Sequence, residues 1–342
     1  MNNLHFTFSP YTLKLKKPFV TSGHSIRERN GFILKLYNEE GYEGIGDCCP
    51  FPEFGSETLV SVEEKLSDIN LKININLDEI ENSIVENLNG FDKLPTLKHG
   101  IEQAILNLIC NTKKIKLDTL LNLKLKNQIF VNAAIGLLSP DESCNEAVML
   151  VREGYSTIKV KAGREDFDVD LSVIKYIRQS GGNNIKIRVD PNGKWNLNEA
   201  VQNLNKLEQY NIEYVEQPLN GSNGFSELSK LSNVAIATDE SVRSVEDAKR
   251  FIDNGSISFI ILKPMLLGGL ILTLKIIRMA EAKNITPVVT SSFESAVGRI
   301  NAVIAAASVK SNVAHGLAVN NYFQNDLIKD QFNVTSGKII LQ

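Results

Sequence analysis

The segment "TIKVKAGREDFDVDLSVIKYIRQSGGNNIKIRVDPNG", Thr157 to Gly193, alternates between two hydrophobic periods. It begins and ends with short apolar, β-rich runs, "TIKVKAG" and "IKIRVDP". Between them, "DFDVDLSVIKYIRQS" carries apolar residues at helical spacing. A strand, a helix and a second strand in this order predict a parallel βαβ unit.

The same unit recurs along the second half of the chain. Six further apolar runs are "IFVNAAIG", "IEYVEQP", "VAIATDES", "SFIILKP", "TPVVTSS" and "NVAHG". The eight runs begin near positions 129, 157, 185, 212, 234, 258, 286 and 312. Eight strands with helical connections predict a closed (β/α)8-type, TIM-like barrel. An open doubly wound sheet is the alternative, but near-equal repeats give no sign of the strand-order reversal that such a sheet contains.

The first part of the chain has a different pattern. "LHFTFSPYTLKLKKPFVTS" and "RNGFILKLYNEEGYEGIGDCCP" resemble antiparallel strands joined by turns, and helical stretches follow them. We therefore predict an N-terminal α+β capping domain over residues 1–122 and a catalytic barrel over residues 123–319. The strand-like tail, residues 320–342, is expected to pack back on the capping domain.

Composition and charge indicate which kind of molecule the protein binds. The 342-residue chain has a net charge of −3 and a pI near 5.9, so it carries no basic footprint for nucleic acid or for an anionic membrane. Residues 1–10 lack the features of a signal peptide, and the most apolar segment, residues 257–280, is interrupted by lysine, proline and glycine. The four cysteines show no CxxC spacing. We expect a cytoplasmic protein, monomeric or homo-oligomeric, that binds a small molecule.

Five successive predicted strands end in a charged residue: Lys161, Asp190, Glu216, Asp239 and Lys263. Active sites of such barrels lie at the C-terminal ends of the strands, so these side chains should meet at one rim. Taken singly, each has an ordinary structural interpretation. Asp190 can open a turn in "DPNG", for example, and Asp239 can cap the next helix.

Together, the three carboxylates on strands 3, 4 and 5 suggest a metal site. Unpaired carboxylates repel one another, and a hard divalent cation with oxygen ligands would satisfy them. Mg²⁺ is the simplest choice. Asn192, next to Asp190, can supply an amide oxygen or an orienting hydrogen bond.

Two lysines lie on opposite sides of this predicted site. Lys161 and Lys263 follow strands four positions apart in a ring of eight, and Lys159 shares a strand face with Lys161. A lysine near a cation can act as a base, and a metal-bound carboxylate has an acidified α-carbon. The set predicts proton abstraction α to a carboxylate. The alternatives are a wet edge strand for Lys159 and Lys161, and a Schiff-base role for Lys263.

Several motifs resemble the muconate-lactonizing-enzyme subgroup of the enolase superfamily. They are, in order, "KVKAG", "RVDPNGKW", "VEQP", "TDES", "ILKP" followed by "LGG", and "SSFESAVG". The resemblance implies that Asp190, Glu216 and Asp239 bind Mg²⁺, with Mn²⁺ as a substitute ion. It also implies that Lys161 is the acid/base and that Lys263 is the opposing lysine.

Within that subgroup, the chain resembles the o-succinylbenzoate synthases. Dipeptide epimerases carry a DxD motif near strand 8 that binds the substrate ammonium, whereas Ala318, Val319 and Asn320 stand there in this chain. The resemblance implies a lyase of menaquinone biosynthesis with a small-molecule carboxylate substrate. A dipeptide epimerase or an N-acylamino acid racemase, which would use the same two lysines, is the alternative.

The resemblance also suggests residues that contact the substrate. Lys159, one layer deeper than Lys161, would hold positive potential beneath it and contact the region of the metal-bound carboxylate. Phe54 would reach the substrate from a capping loop. Candidates to position the succinyl arm are Ser291, Ser292, Ser295 and Gly316.

Overall fold

The computed structural model describes residues 4–21, 23–69, 71, 73–319 and 321–341. Asn320, which belongs to the segment compared with the DxD motif, lies outside the described residues. No helix in the described ranges combines the length and the hydropathy needed to cross a bilayer.

The N-terminal part forms an antiparallel sheet covered by helices. The sheet order is β1-β2-β3, and its strands are β1 (His5–Val20), β2 (Ser25–Tyr37) and β3 (Glu43–Cys48). The helices are α1 (Leu59–Ser67), α2 (Ile80–Asn87), α3 (Pro95–Lys113) and α4 (Leu117–Leu120). The helix α3 packs so closely on β3 that a Cβ added to Gly46 would lie 1.9 Å from the Gly100 carbonyl oxygen. Glycine at position 46 therefore sets the distance between sheet and helix.

The second part is a parallel sheet whose strands follow one another in chain order. Its strands are β5 (Ala133–Ile135), β6 (Thr157–Lys161), β7 (Lys186–Asp190), β8 (Ile212–Glu216), β9 (Ile236–Thr238), β10 (Phe259–Leu262) and β11 (Thr286–Val289). The connecting helices are α5 (Pro140–Arg152), α6 (Phe167–Gly181), α7 (Leu197–Leu207), α8 (Phe225–Leu231), α9 (Val245–Asn254), α10 (Leu270–Ala282) and α11 (Ala296–Ser308). The predicted barrel class with an N-terminal α+β domain is confirmed, and the open doubly wound alternative is excluded because the strand order never reverses.

A short extended segment closes the ring between β11 and β5. Thr290 pairs with Gly316 and Val131 pairs with His315, both in parallel. The backbone N–H of Asn132 donates to the His315 carbonyl at 2.9 Å. The eighth run, "NVAHG", thus takes the eighth position, which we call the closing segment, residues 315–316.

The eighth unit differs from the predicted repeat because the described part of the chain forms no helix after the closing segment. Residues 322–324 run instead along β1, where the Lys16 N–H donates to the Tyr322 carbonyl at 2.7 Å. These backbone bonds to the N-terminal sheet take the place of an eighth covering helix.

The first apolar run, "IFVNAAIG", is divided between two sheets. Its beginning is β4 (Gln128–Phe130), which pairs antiparallel with β13 (Lys338–Ile340), and β13 pairs with β12 (Val334–Thr335). Only its later part, β5, joins the barrel sheet. The tail therefore contacts β1 through residues 322–324. Through β13 it also contacts β4, the strand that precedes barrel strand β5 in the chain.

Strand register places Lys161 and Asp190 side by side. Lys161 pairs with Asp190 across β6 and β7, and Lys159 pairs with Arg188 two residues deeper. Glu216 is the last residue of β8. Because side chains at i and i+2 share a face, both lysines of β6 point to the barrel interior.

Candidate active site

The charged residues predicted to end the strands come together at the C-terminal rim of the barrel. Asp190 and Glu216 are fully buried, and Lys161 and Asp239 are 5% exposed. Lys161 Nζ lies 2.6 Å from Asp190 Oδ2, and Lys263 Nζ forms an ion pair with Asp239 Oδ1. Lys161 and Lys263 therefore each pair with one carboxylate inside the barrel mouth.

Lys159 joins two of the carboxylates from below. Its Nζ lies 3.0 Å from Asp190 Oδ2 and 2.8 Å from Glu216 Oε1. The ammonium of the deeper lysine thus occupies the space between two metal-ligand candidates. The two lysines of β6 therefore occupy different positions: Lys159 lies between the carboxylates, and Lys161 lies at the rim.

Asn192 links Lys161 to a residue that the sequence analysis did not single out. Lys161 Nζ donates to Asn192 Oδ1 at 2.8 Å, and Asn192 Nδ2 donates to Glu240 Oε1 at 2.8 Å. An ammonium has only donors and a carboxylate only acceptors, so the two neighbours define which way the amide faces. Asn192 holds this position with a left-handed backbone, φ 49°.

Burial and charge act in opposite directions on the ionisable groups of the site. Burial alone would lower the pKa of Lys159, but Glu216 and Asp190 raise it well above its ordinary value. Burial alone would raise the pKa of Asp190, and Lys161 and Lys159 bring it below its ordinary value. For Glu216, burial prevails over Lys159 and raises the pKa to about 8.

The donor chemistry of the site fits a hard divalent cation, although the lysines hold the carboxylates here. Among the described residues, no three His, Cys, Asp or Glu side chains are clustered as a ready-made metal site. The candidate ligands are nevertheless all carboxylates, which Mg²⁺ prefers. Glu216 Oε2 is buried with no hydrogen-bond partner among the described residues, so one oxygen is free for a ligand. Asp190, Glu216 and Asp239 are the residues that would hold the ion.

A cavity lies directly above these charges. The N-terminal part contributes Phe19, Thr21, Ile26, Phe51 and Phe54 to its lining. The barrel contributes Asn132, Ala134, Lys159, Lys161, Asp239, Lys263, Thr290, Ser291, Ser292, Phe293, Gly316, Ala318 and Val319, and the tail contributes Tyr322. The cavity is therefore charged at the floor between β6 and β10, and elsewhere its lining is uncharged, with aromatic, aliphatic and neutral polar residues.

Phe54 and Phe293 both line this cavity. The Phe54 ring centroid lies 5.6 Å from Lys263 Nζ, a cation–π contact from the N-terminal part. Phe293 has a left-handed φ of 58°, and its ring packs 5.2 Å from Phe19 and 5.7 Å from Tyr322. A non-glycine residue in this conformation costs free energy, and such residues concentrate at functional sites.

The structure separates the predicted arm-binding residues into two groups. Ser291, Ser292 and Gly316 line the cavity. Ser295 does not belong to the lining residues: it caps α11, where its Oγ accepts from the Val297 N–H and donates to Asp47 Oδ2 at 2.7 Å.

Asp47 ties the N-terminal sheet to the loop that carries the serines. Besides the Ser295 hydroxyl, its Oδ2 accepts from the Ser295 N–H at 3.0 Å, and its Oδ1 accepts from the Tyr11 hydroxyl at 2.7 Å. Asp47 is fully buried, and burial raises its pKa to about 6. The position of residues 291–295 over the cavity thus depends on a residue about 250 positions earlier in the chain.

Asn132, Thr290, Tyr322 and Glu240 are among the cavity residues or their partners that the sequence analysis missed. Asn132 is the one polar residue of the run "IFVNAAIG", and Thr290 stands at the end of "TPVVTSS", so their positions carried a signal. Tyr322 lies beyond the last repeat. Its approach to the cavity depends on the return of residues 322–324 to β1.

Comparison with known protein families gives two matches that together cover most of the chain. Residues 142–342 match the family described as "Enolase C-terminal domain-like", and residues 5–108 match "MenC, N-terminal domain".

Curated relatives with different activities are similar to this chain at nearly the same level. An L-Ala-D/L-Glu epimerase of Francisella tularensis subsp. novicida is 28% identical, over 97% of this chain and 94% of that protein. An o-succinylbenzoate synthase of Listeria innocua is 27% identical, over 96% of this chain and 88% of that protein.

Among solved structures, a dipeptide epimerase from Enterococcus faecalis V583, complexed with Mg and the dipeptide L-Leu-L-Tyr, has a similar fold. It superimposes with a TM-score of 0.88 at 25% identity, covering 98% of this chain and 96% of that chain.

Proposed function

This chain belongs to the enolase superfamily, and we propose that it is the lyase that converts 2-succinyl-6-hydroxy-2,4-cyclohexadiene-1-carboxylate to o-succinylbenzoate in menaquinone biosynthesis. The matches to the "MenC, N-terminal domain" and to an o-succinylbenzoate synthase support this reaction. Sequence identity alone does not select it, since epimerases are as similar.

The residues that line the cavity favour a substrate without an ammonium group. Among its described residues the one carboxylate is Asp239, which is already paired with Lys263. Ala318 and Val319, from the segment compared with the DxD motif, line the cavity with apolar side chains. An ammonium group would lose water here without gaining a free carboxylate, which is costly. The proposed substrate carries two carboxylates and no amine.

Lys161 would move the proton. As a neutral amine it would take the α-proton of the ring carbon that bears the carboxylate. The resulting ammonium would then give that proton to the hydroxyl group at the neighbouring ring carbon. The C–O bond breaks, water leaves, and the electron pair from the C–H bond completes the aromatic ring. One lysine is sufficient because both steps occur on the same face of the ring.

Lys263 has the complementary role of a fixed cation. It lies across the barrel from Lys161, with Asp239 and the Phe54 ring as neighbours. A positive charge held there stabilises the negative charge that develops when the α-proton leaves. The Phe54 loop would also exclude water from the cavity.

The proposed cofactor is Mg²⁺, which solved relatives of this fold bind. Asp190, Glu216 and Asp239 would hold it, and when bound it would supply Lewis-acid stabilisation of the charge on the substrate carboxylate.

A dipeptide epimerase is the second candidate function. Lys161 and Lys263 on opposite sides of one cavity are the arrangement that a two-base isomerisation requires, and the aromatic lining suits apolar side chains. In this reaction one lysine would remove the α-proton and the other would return a proton to the opposite face.

Parallel incubations in D₂O separate the two candidates. The Mg²⁺-loaded protein is given either the cyclohexadiene substrate or L-Ala-L-Glu and L-Leu-L-Tyr, and ¹H NMR follows both. We expect aromatic product signals and no loss of the dipeptide α-proton signal. If deuterium enters the dipeptides and no aromatic product forms, the protein is an epimerase and the proposed lyase function is wrong.

A further inference from the structure

We propose that Arg243 holds the Phe54 loop, residues 51–57, against the barrel and so positions the Phe54 ring over the cavity. Arg243 lies between β9 and α9, on the segment that carries Asp239. It is not among the residues that line the active-site cavity, and it acts through Gly55 of the loop. Closure of the cavity in this way would serve either candidate reaction.

The Phe54 loop is a compact unit closed by its own hydrogen bonds. The Phe51 N–H donates to Ser56 Oγ at 2.6 Å, and the Ser56 N–H donates to the Phe51 carbonyl at 3.3 Å. The Phe54 N–H also donates to the Phe51 carbonyl, at 2.9 Å, and the Gly55 N–H donates to the Pro52 carbonyl at 2.8 Å. These bonds fix the shape of the loop, but none of them joins it to the barrel.

Both ends of the loop are anchored to the N-terminal part of the protein. Arg29 Cζ lies 3.8 Å from the ring centroid of Phe51, which is buried. At the other end, Glu57 Oε1 accepts from the N–H groups of Thr96 and Leu97 at 2.9 and 3.0 Å, at the start of α3. The tip of the loop, residues 54–55, is the part that reaches the barrel.

The Arg243 guanidinium covers this tip. A Cβ added to Gly55 would lie 3.1 Å from Arg243 Nη2, 3.2 Å from its Cζ and 3.5 Å from its Nη1. Because three atoms of a planar group lie at nearly the same distance, the flat face of the guanidinium rests against Gly55. Gly55 also has a φ of 81°, a conformation that strains any residue with a side chain. Glycine at position 55 therefore allows the loop and the arginine to approach closely.

Arg243 is fixed to the barrel by backbone contacts rather than by an ion pair. Its Nε donates to the Glu240 carbonyl at 2.8 Å, and its backbone N–H donates to Asp247 Oδ2 at 3.1 Å. Asp247 forms its ion pair with Arg250, and no described carboxylate forms one with the Arg243 guanidinium. The guanidinium is therefore free to present its face to the loop, in a contact weak enough to open and close.

Open space behind the loop gives its tip room to move. Phe54 lines the active-site cavity, whereas Gly55, Ser56 and Glu57 line a separate cleft of about 480 Å³, which Arg243 also lines. A segment with few packed neighbours opens at a low free-energy cost. The contacts of the tip with Arg243 and with Lys263 are therefore what keeps it over the cavity.

The position of the Phe54 ring can be measured without turnover. In the full-length protein, 4-fluorophenylalanine replaces Phe54, and ¹⁹F NMR compares its frequency in H₂O and in D₂O. This solvent shift reports exposure, because only a fluorine in contact with solvent changes frequency. We expect a small shift in the wild-type background and a larger one in Arg243→Ala and Gly55→Ala. The ratio of open to closed loop should rise about 5-fold, which corresponds to about 1 kcal/mol.

Gly41→Ala and Arg152→Ala are the matched controls. Gly41 has the same φ of 81°, but a Cβ added there would have no atom within 4 Å, so the substitution causes the backbone strain without displacing a neighbour. Arg152 is an exposed arginine of α5. Both controls should keep the solvent shift of the wild-type background. The Tm of every variant shows that the protein is folded.

Arg243→Lys separates the shape of the side chain from its charge. Arg243 lines a small pocket together with Phe54 and Lys263, so its positive charge alone could act on Lys263. Lysine keeps this charge but has neither the flat face nor the Nε donor. Arg243→Lys should therefore give the same large solvent shift as Arg243→Ala.

Three results would overturn this role of Arg243. They are an unchanged solvent shift in Arg243→Ala, the wild-type shift in Arg243→Lys, and equal shifts in Gly55→Ala and Gly41→Ala. None of these measurements requires a substrate. If the protein forms no aromatic product from the cyclohexadiene, the proposed lyase function fails, and the contact between Arg243 and the Phe54 loop is still tested.

Discussion

Asn192 Nδ2 lies 2.8 Å from Glu240 Oε1, and this contact holds the amide whose oxygen accepts from Lys161. Glu240 is not among the residues that line the cavity, yet through this contact it determines which atom of Asn192 the base meets. A flipped amide would point its NH₂ group at the Lys161 amine. Glu240 is on this account a positioning residue.

Glu240→Gln should lower kcat while leaving KM nearly unchanged. Glutamine can donate to Asn192, so the amide loses the contact that fixes its orientation. Small misplacement of a reacting group costs up to about 100-fold in rate, and we expect about a 10-fold loss. Steady-state kinetics with Glu246→Gln, an exposed neighbour on α9, provides the comparison. An unchanged kcat in Glu240→Gln would remove this role.

Removing the Asp47 carboxylate should destabilise the fold. Asp47→Ala leaves the buried Ser295 N–H without its partner and also removes the Tyr11 contact. Each buried donor left unpaired costs about 1–3 kcal/mol, so the free energy of unfolding should fall by about 3 kcal/mol. Asp47→Asn keeps one oxygen for Ser295 and should lose clearly less. Urea unfolding of both variants measures the difference, and equal losses would contradict it.

The buried carboxyl group of Glu102 should make the free energy of unfolding depend on pH, and the substitution Glu102→Gln should remove this contribution. Its Oε1 accepts from the N–H groups of Leu270 and Ile271 at the start of α10, and burial raises its pKa to about 8. An acid with a raised pKa in the folded state contributes stability that is full below its ordinary pKa and is lost as pH rises through 8.

Glu102→Gln should therefore lose less stability than wild type between pH 5 and pH 8.5. One pKa unit corresponds to about 1.4 kcal/mol, so the difference between the two proteins should change by about 4 kcal/mol over this range. Denaturant unfolding at several pH values measures it. Parallel stability curves for wild type and Glu102→Gln would show that Glu102 does not titrate in this range.

Mg²⁺ should stabilise the protein through the three carboxylates. An ion at 100 times its Kd adds about 2.7 kcal/mol to the free energy of unfolding, which thermal unfolding detects without any substrate. Asp190→Asn should abolish the Mg²⁺-dependent rise in Tm. The surface variant Asp253→Asn should keep it, because Asp253 is paired with exposed Lys249 on α9. The same rise in both variants would place the ion elsewhere.

The charged rim could be predicted from the sequence because strand-like and helix-like hydrophobic patterns alternate regularly along the chain. Repeats of nearly equal length place strand ends at one edge, and Lys161, Asp190, Glu216, Asp239 and Lys263 end five of them or follow directly. Their convergence needs only parallel strands in chain order. This part of the site follows from local pattern.

The remaining features depend on contacts between distant parts of the chain. The division of "IFVNAAIG" between two sheets requires pairing of β4 with β13, more than 200 residues later. Ser295 caps α11, and the Asp47 carboxylate that holds it comes from the N-terminal sheet. The orientation of Asn132 depends on Arg188. No local pattern in the sequence encodes such pairings.

The most direct test of the central proposal is the rate at which the Mg²⁺-loaded protein aromatises 2-succinyl-6-hydroxy-2,4-cyclohexadiene-1-carboxylate, followed by ultraviolet absorbance in wild type and Lys161→Ala. General acid–base catalysis contributes about 10²- to 10⁴-fold, and Lys161 would act in both proton transfers. We expect conversion by wild type, a loss of at least about 1000-fold in Lys161→Ala, and full activity in Lys249→Ala. No aromatic product from wild type, or an undiminished rate in Lys161→Ala, would contradict the proposed reaction.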